Sequence, residues 1–265
     1  MTATQRITGT ALLDALERGS VRVAERAEGG AWRVNDWVKE ELLALFRASG
    51  VVAKGLELAP AGSSTLFRDK EPFEVRRWTS AENVRVVPGG SAVRRGAYVA
   101  PGCVLMPPCY VNVGAWIGAG SMVDSHALVG SCAQIGERVH VSAAAQIGGV
   151  LEPANARPVI VEDDCFVGGN CGVYEGVLLR RGAVLAAGTV LASGTVVYDL
   201  VHERELRGTR EAPLEIPAGA VVAPGTRPVA GAWARERHLG VACALIVKYR
   251  DEKTDRATAL EQALR

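Results

Sequence analysis

The chain has 265 residues, with 30 Lys and Arg against 29 Asp and Glu, for a formal net charge of +1. That balance gives no bulk electrostatic case for nucleic acid or an anionic membrane as a partner. No apolar run reaches the ~18 residues of a membrane span and no signal-type apolar core opens the chain, so a soluble, cytoplasmic protein is expected.

Residues 1–84 are predicted to form a small α/β cap. Helices are expected over 11–18 and 36–48, the second with Asn35 as its N-cap and a stop near Gly50. Residues 21–27 alternate and predict a short strand before the Gly29–Gly30 turn. The charged and aromatic stretch 67–78 leads toward the part that dominates the chain.

From Val93, an aliphatic residue falls on every sixth position: Val93, Val99, Leu105, Val111, Ile117, Val123, Val129, Ile135, Val141, Ile147. The phase is lost over 152–160. It restarts at Val161 and continues through Val167, Val173, Leu179, Leu185, Leu191 and Val197, then Ile216 and Val222. Four residues after most anchors stands a small residue, such as Ala97, Cys103, Ser121, Cys165, Thr195 or Thr226. A six-residue period fits neither a helix nor an amphipathic strand. It is the hexapeptide pattern of a parallel β-helix, with the anchor and the small residue both pointing into a narrow prism. Three hexads close one coil, coils stack at about 4.8 Å, and the anchors suffice for about six coils. Glycines recur at the corners, where tight turns call for positive φ. General crossover rules favour a right-handed coil.

Residues 199–214 break the repeat and predict a loop or an extra strand. Residues 241–249 read as a strand and 254–264 as a helix. The expected division is a cap over 1–84, a β-helix over 85–229 and a tail over 230–265. Cys103, Cys109, Cys165 and Cys171 fall on the small interior position, so they and the remaining Cys132 and Cys243 are expected to be buried free thiols. There is no CxxC pair and no metal site is predicted.

Local blocks carry the chemistry. They are Val86-Val-Pro88, Tyr110-Val-Asn-Val-Gly114, Met122-Val-Asp124, Val129-Gly-Ser-Cys-Ala-Gln-Ile-Gly136, Ile147-Gly-Gly-Val-Leu-Glu-Pro153 and Ala244-Leu-Ile-Val-Lys248. In this order and spacing they resemble the tetrahydrodipicolinate N-succinyltransferase family. The resemblance implies a left-handed β-helix and a homotrimer with active sites between subunits. It also implies succinyl transfer from succinyl-CoA, as co-substrate rather than bound cofactor, to the amine of the ring-opened dicarboxylate. An N-acetyltransferase or a non-catalytic hexapeptide-repeat protein is the alternative. A γ-type carbonic anhydrase would need three His ligands, and only His126 and His140 lie in the repeat.

Such a transfer needs a base for the ammonium proton, a cation for a substrate carboxylate and donors for the oxyanion. Asp124 matches the family's aspartate as catalytic and substrate-binding residue, although by position alone it is as readily a turn aspartate. Arg85 matches the substrate-binding arginine, with Arg94 and Arg95 as neighbours able to replace it. The family's second carboxylate falls on Gly172; Glu175 is the nearest acidic candidate for a catalytic role. His126 is a further candidate base, while His140 reads as structural or surface. Lys248 and Arg227 are candidates for the CoA phosphates.

Overall fold

In the computed structural model, residues 6–54, 67–209 and 212–251 are described. The helix expected over 254–264 lies outside them.

The cap is built on two helices. The first, α1 (Gly9–Glu17), buries Leu12, Leu13, Ala15 and Leu16. The second, α2 (Asp36–Ala48), buries Val38, Lys39 and Leu42. Their apolar residues meet Phe73 and the coil residues Val113 and Cys132 in one cluster. The strand expected over 21–27 narrows to Ala24–Arg26, paired antiparallel with Trp32–Val34. Asn35 is not a side-chain cap. Its backbone N–H donates to Val23 O at 2.8 Å and its side-chain amide to Arg22 O at 2.8 Å, so it clasps the preceding segment instead. The stretch after residue 66 first returns as a strand, Phe67–Lys70, against Val51–Lys54.

The hexapeptide region forms a prism of parallel two-residue strands. Its three faces are named here by their first residue. The Arg85 face carries Arg85–Val86, Val104–Leu105, Met122–Val123, His140–Val141, Phe166–Val167 and Val184–Leu185. The Ala92 face carries Ala92–Val93 through Val190–Leu191, and the Tyr98 face Tyr98–Val99 through Glu215–Ile216. Register partners stand 18 residues apart, three hexads, as in Met122↔His140 and Leu128↔Gln146. At the phase break Gln134 pairs with Ile160, 26 residues on and so 8 more than the usual 18; register then resumes with Ile160↔Leu178. The extra residues belong to an excursion over 148–159, to which Lys39 of α2 is tied by a hydrogen bond to Ala156 O.

The anchors are fully or nearly fully buried from Val93 to Val222, and so are Ala97, Cys103, Ser121, Cys165 and Ala220. Each buried aliphatic side chain contributes about 1.5–3 kcal/mol of transfer free energy, and no coil has enough of them to stand alone.

Three sequence expectations need correction. Val197 keeps the phase but does not continue the coil. The Tyr98 face is closed by Glu215–Ile216 on Leu178–Leu179, while Val197–Asp199 pairs with Arg204–Leu206 and with the C-terminal strand Gly240–Tyr249. Thr195 and Thr226, counted as interior, are therefore not buried. The glycines also divide into two kinds. Gly114 has φ 74 at a corner, with a Cβ there meeting Cys132 Sγ at 2.9 Å. Gly136 has no positive φ; a Cβ would lie 2.5 Å from Asp163 N of the next coil, so close stacking selects glycine. Non-glycine residues such as His126, Asn170 and Glu175 take positive φ at other corners.

The chain leaves the prism through a hairpin, Ala220–Pro228 with Gly240–Tyr249, tipped by a short helix, α3 (Ala232–Glu236). A boundary at 229 falls inside that hairpin. No helix among the described residues is long and apolar enough to cross a membrane.

Candidate active site

The cap packs on the Tyr98 face and the corner leading to it. Ala24, Trp32 and Val34 cover Ile160 and Leu178. The Arg22 guanidinium sits 4.3 Å from the Trp116 ring centre, and its Nε donates to Gln134 Oε1 at 2.7 Å. The Ala92 face instead exposes Tyr110 (37%) and Val190 (54%).

Asp124 follows the strand Met122–Val123, at the corner between the Arg85 and Ala92 faces. Its backbone N–H donates to Val141 O at 2.9 Å, which locks the corner to the next coil. Oδ1 accepts from Ser125 N–H at 2.7 Å. Oδ2 faces His140 Nε2 at 3.9 Å. The carboxylate is thus oriented from both sides yet remains 28% exposed. It can accept a proton from a ligand at the corner without giving up its backbone bond.

His140, read from sequence as structural or surface, is buried, with its ring centre 5.1 Å from that of Phe166. Its place beside Asp124 is a consequence of register, since Met122 pairs with His140. Counting 18 from Met122 would have found it. His126 is exposed at the same corner with φ 64, and its carbonyl accepts from Gln146 Nε2 at 3.3 Å.

Arg85 lies on the Arg85 face two strands below Met122. Its side chain is exposed and makes no hydrogen bond or ion pair with any described residue. Arg94 and Arg95 differ. Arg94 is paired with Asp69 over the Phe46 and Phe73 rings, and Arg95 with Asp14 at 2.7 Å, so both serve cap packing.

Glu175 stands at the next corner, between the Ala92 and Tyr98 faces, two coils above Asp124. Its carboxylate accepts from Ser193 N–H at 3.1 Å and from the Ser193 hydroxyl. It lines a cleft of about 760 Å³ with Arg157, Ser193 and Thr209. One chain therefore does not bring Asp124 and Glu175 together. Gly172 is buried in the strand Gly172–Val173, under the ring of Tyr174.

Lys248 lies on the C-terminal strand and pairs with Asp251 at 3.1 Å. Its register partner is Val221, at the far end of the Arg85 face from Asp124. Arg227, on the same hairpin, has a buried Nε with no hydrogen-bond partner among the described residues. Among the described residues no group of three or more His, Cys, Asp or Glu is placed to hold a metal ion.

A three-faced coil of hexapeptide repeats under an α/β cap places the chain among the hexapeptide-repeat proteins, and an oriented carboxylate stands at one of its open corners. A profile described as the tetrahydrodipicolinate N-succinyltransferase N-terminal region matches residues 2–48, and one described as the hexapeptide repeat of succinyl-transferase matches 158–193. Proteins named 2,3,4,5-tetrahydropyridine-2,6-dicarboxylate N-succinyltransferase are similar over nearly the whole chain. That of Bradyrhizobium diazoefficiens is 44% identical, covering 96% of this chain and 88% of its own. That of Rhodopseudomonas palustris is 45% identical, covering 96% and 87%. The chain belongs to the tetrahydrodipicolinate N-succinyltransferase family. A Campylobacter jejuni structure described as a 2,3,4,5-tetrahydropyridine-2-carboxylate N-succinyltransferase shares the fold. It has a TM-score of 0.52 at 19% identity and covers 94% of this chain and 63% of that one.

Proposed function

We propose that the protein transfers the succinyl group of succinyl-CoA to the amine of ring-opened tetrahydrodipicolinate, giving N-succinyl-2-amino-6-oxopimelate and CoA in lysine and diaminopimelate synthesis. The observation that carries this reading is Asp124, oriented by Ser125 N–H and 28% exposed, at the edge of the face that carries Arg85, whose side chain has no partner among the described residues.

In this account Asp124 binds the substrate ammonium and takes its proton, since only the neutral amine is nucleophilic. Arg85 holds a substrate carboxylate with its planar fork. Kinship with the tetrahydrodipicolinate N-succinyltransferases supports a left-handed coil and a homotrimer, in which the corner bearing Glu175 comes from a neighbouring copy. Glu175 supplies the second acidic position of the site. Lys248 meets the CoA phosphates once released from Asp251. No cofactor is resident, and the enzyme works in the cytoplasm as a cap (1–84) on a coil that begins at 85 and ends in the hairpin of Ala220–Pro228 and Gly240–Tyr249. Incubating the trimer with tetrahydrodipicolinate and succinyl-CoA and measuring free thiol tests the reading; parallel runs with acetyl-CoA test the acyl preference.

A further inference from the structure

On the Ala92 face, two coils above the Asp124 level, the strand residue Gly172 has no side chain. The space above it is filled by Tyr174. A Cβ on Gly172 would lie 2.5 Å from Tyr174 Cε2 and 2.9 Å from Tyr174 Oη. One coil below, a Cβ on Gly148 would lie 2.7 Å from Cδ1 of the same ring. Gly148 and Tyr174 are tied in register by Gly148 N–H donating to Val173 O at 2.7 Å. Two bare glycines in successive coils thus make a floor on which the phenol lies. The ring and any side chain at 172 exclude one another.

The hydroxyl at the end of this ring is available to a ligand. Tyr174 is half-buried, its hydroxyl is not one of the buried polar atoms left without a partner, and it makes no hydrogen bond to any described residue. The adjoining Glu175 is in the opposite state, since its carboxylate is already occupied by the backbone N–H and hydroxyl of Ser193. A phenolic O–H is a hydrogen-bond donor, and one carried on a packed ring can meet a ligand at little reorganisation cost.

We propose that Tyr174 is a catalytic residue of the acyl transfer, its hydroxyl donating a hydrogen bond to the oxyanion of the tetrahedral intermediate. This rests on the function proposed above, in which this corner meets the Asp124 corner of a second copy. The step balances. The amine nitrogen lone pair forms the C–N bond, and the thioester carbonyl π pair moves to oxygen, where the Tyr174 O–H donates without surrendering its proton. One ammonium proton goes to Asp124 before attack. As the oxyanion pair re-forms the C=O bond the C–S bond breaks, the CoA sulfur leaves with that bond's electron pair and takes the proton held by Asp124, and the second N–H proton of the tetrahedral adduct passes to water, leaving the neutral amide.

The test is Tyr174→Phe in the full-length protein, which removes one oxygen and keeps the ring on its glycine floor. The expected result is a fall in kcat of about 10²-fold with KM for both substrates near wild type and an unchanged melting temperature. Gly172→Ala, which pushes the ring aside but leaves its hydroxyl, is expected to lower kcat in the same direction. An active wild type whose Tyr174→Phe variant keeps its kcat, or loses efficiency only through KM, overturns the role of Tyr174. A wild type that releases no CoA with this substrate pair overturns the proposed function instead, so the two failures are told apart.

Discussion

Asp124 Oδ2 lies 3.9 Å from His140 Nε2 because the two residues stand on consecutive coils of one face, joined by Asp124 N–H donating to Val141 O at 2.9 Å. The histidine ring is fixed in turn against Phe166. The carboxylate is therefore positioned by the stacking of the coil as much as by its own turn.

Asp124→Asn preserves that turn, because an amide oxygen still accepts from Ser125 N–H. It cannot take a proton. The expected outcome is a loss of about 10²-fold or more in kcat with the assembly unchanged by sedimentation. Near-wild-type kcat/KM would remove Asp124 from the site.

Arg85→Ala removes an exposed guanidinium that has no partner among the described residues, so little stability is at stake. KM for the dicarboxylate is expected to rise about tenfold or more, with KM for the acyl-CoA unchanged. Arg85→Lys should recover only part of the loss, because an ammonium does not match a carboxylate bidentately. Steady-state kinetics with each substrate varied separately checks this.

Glu162 fastens the cap to the coil. It is 4% exposed and accepts from Trp32 Nε1 at 2.9 Å and Arg181 N–H at 2.9 Å, with Arg26 at 3.0 Å and Arg180 at 3.1 Å. Burial pushes its carboxyl up, but these donors and cations outweigh it and hold it below the ordinary 4.5. A depressed folded-state value means the stabilisation is present above about pH 4.5 and is lost as pH falls through the lower folded value. Glu162→Gln should cost about 1–3 kcal/mol at pH 7, discounted because both arginines are partly solvated. Melting curves of the two proteins should converge as the pH falls from 4.5 through the lowered folded-state value.

The six cysteines are all buried and free. Burial pushes the Cys132 and Cys165 thiols up to about 12. Thiol titration should find little reaction in the native protein and six equivalents after unfolding without reductant. Cys103→Leu or Cys165→Leu should destabilise by about 1–3 kcal/mol, because each thiol is closely surrounded in the prism and a larger side chain overpacks the site.

The coil is legible in the sequence because its packing is periodic. Every anchor meets the same wall of neighbours, so residue type repeats with position. Val197 shows where that logic ends, since an aliphatic residue in phase serves equally well in the sheet that closes the coil. Asn35 and His140 show a second limit. A side chain's partner is set by what another coil or strand places beside it, and local pattern is silent on that. Tyr174 was hidden for the same reason, since its significance lies in the two glycines beneath it. Asp124 and Arg85 are candidates through the family motif, whereas the cap-bound state of Arg94 and Arg95 required the fold.

The most direct test of the account is CoA release by the purified protein with tetrahydrodipicolinate and succinyl-CoA, run beside acetyl-CoA and beside Asp124→Asn. The account predicts amine-dependent thiol release with succinyl-CoA, weaker release with acetyl-CoA, and near loss in the variant. Absence of amine-dependent release by the wild type, or equal release by the variant, would contradict it.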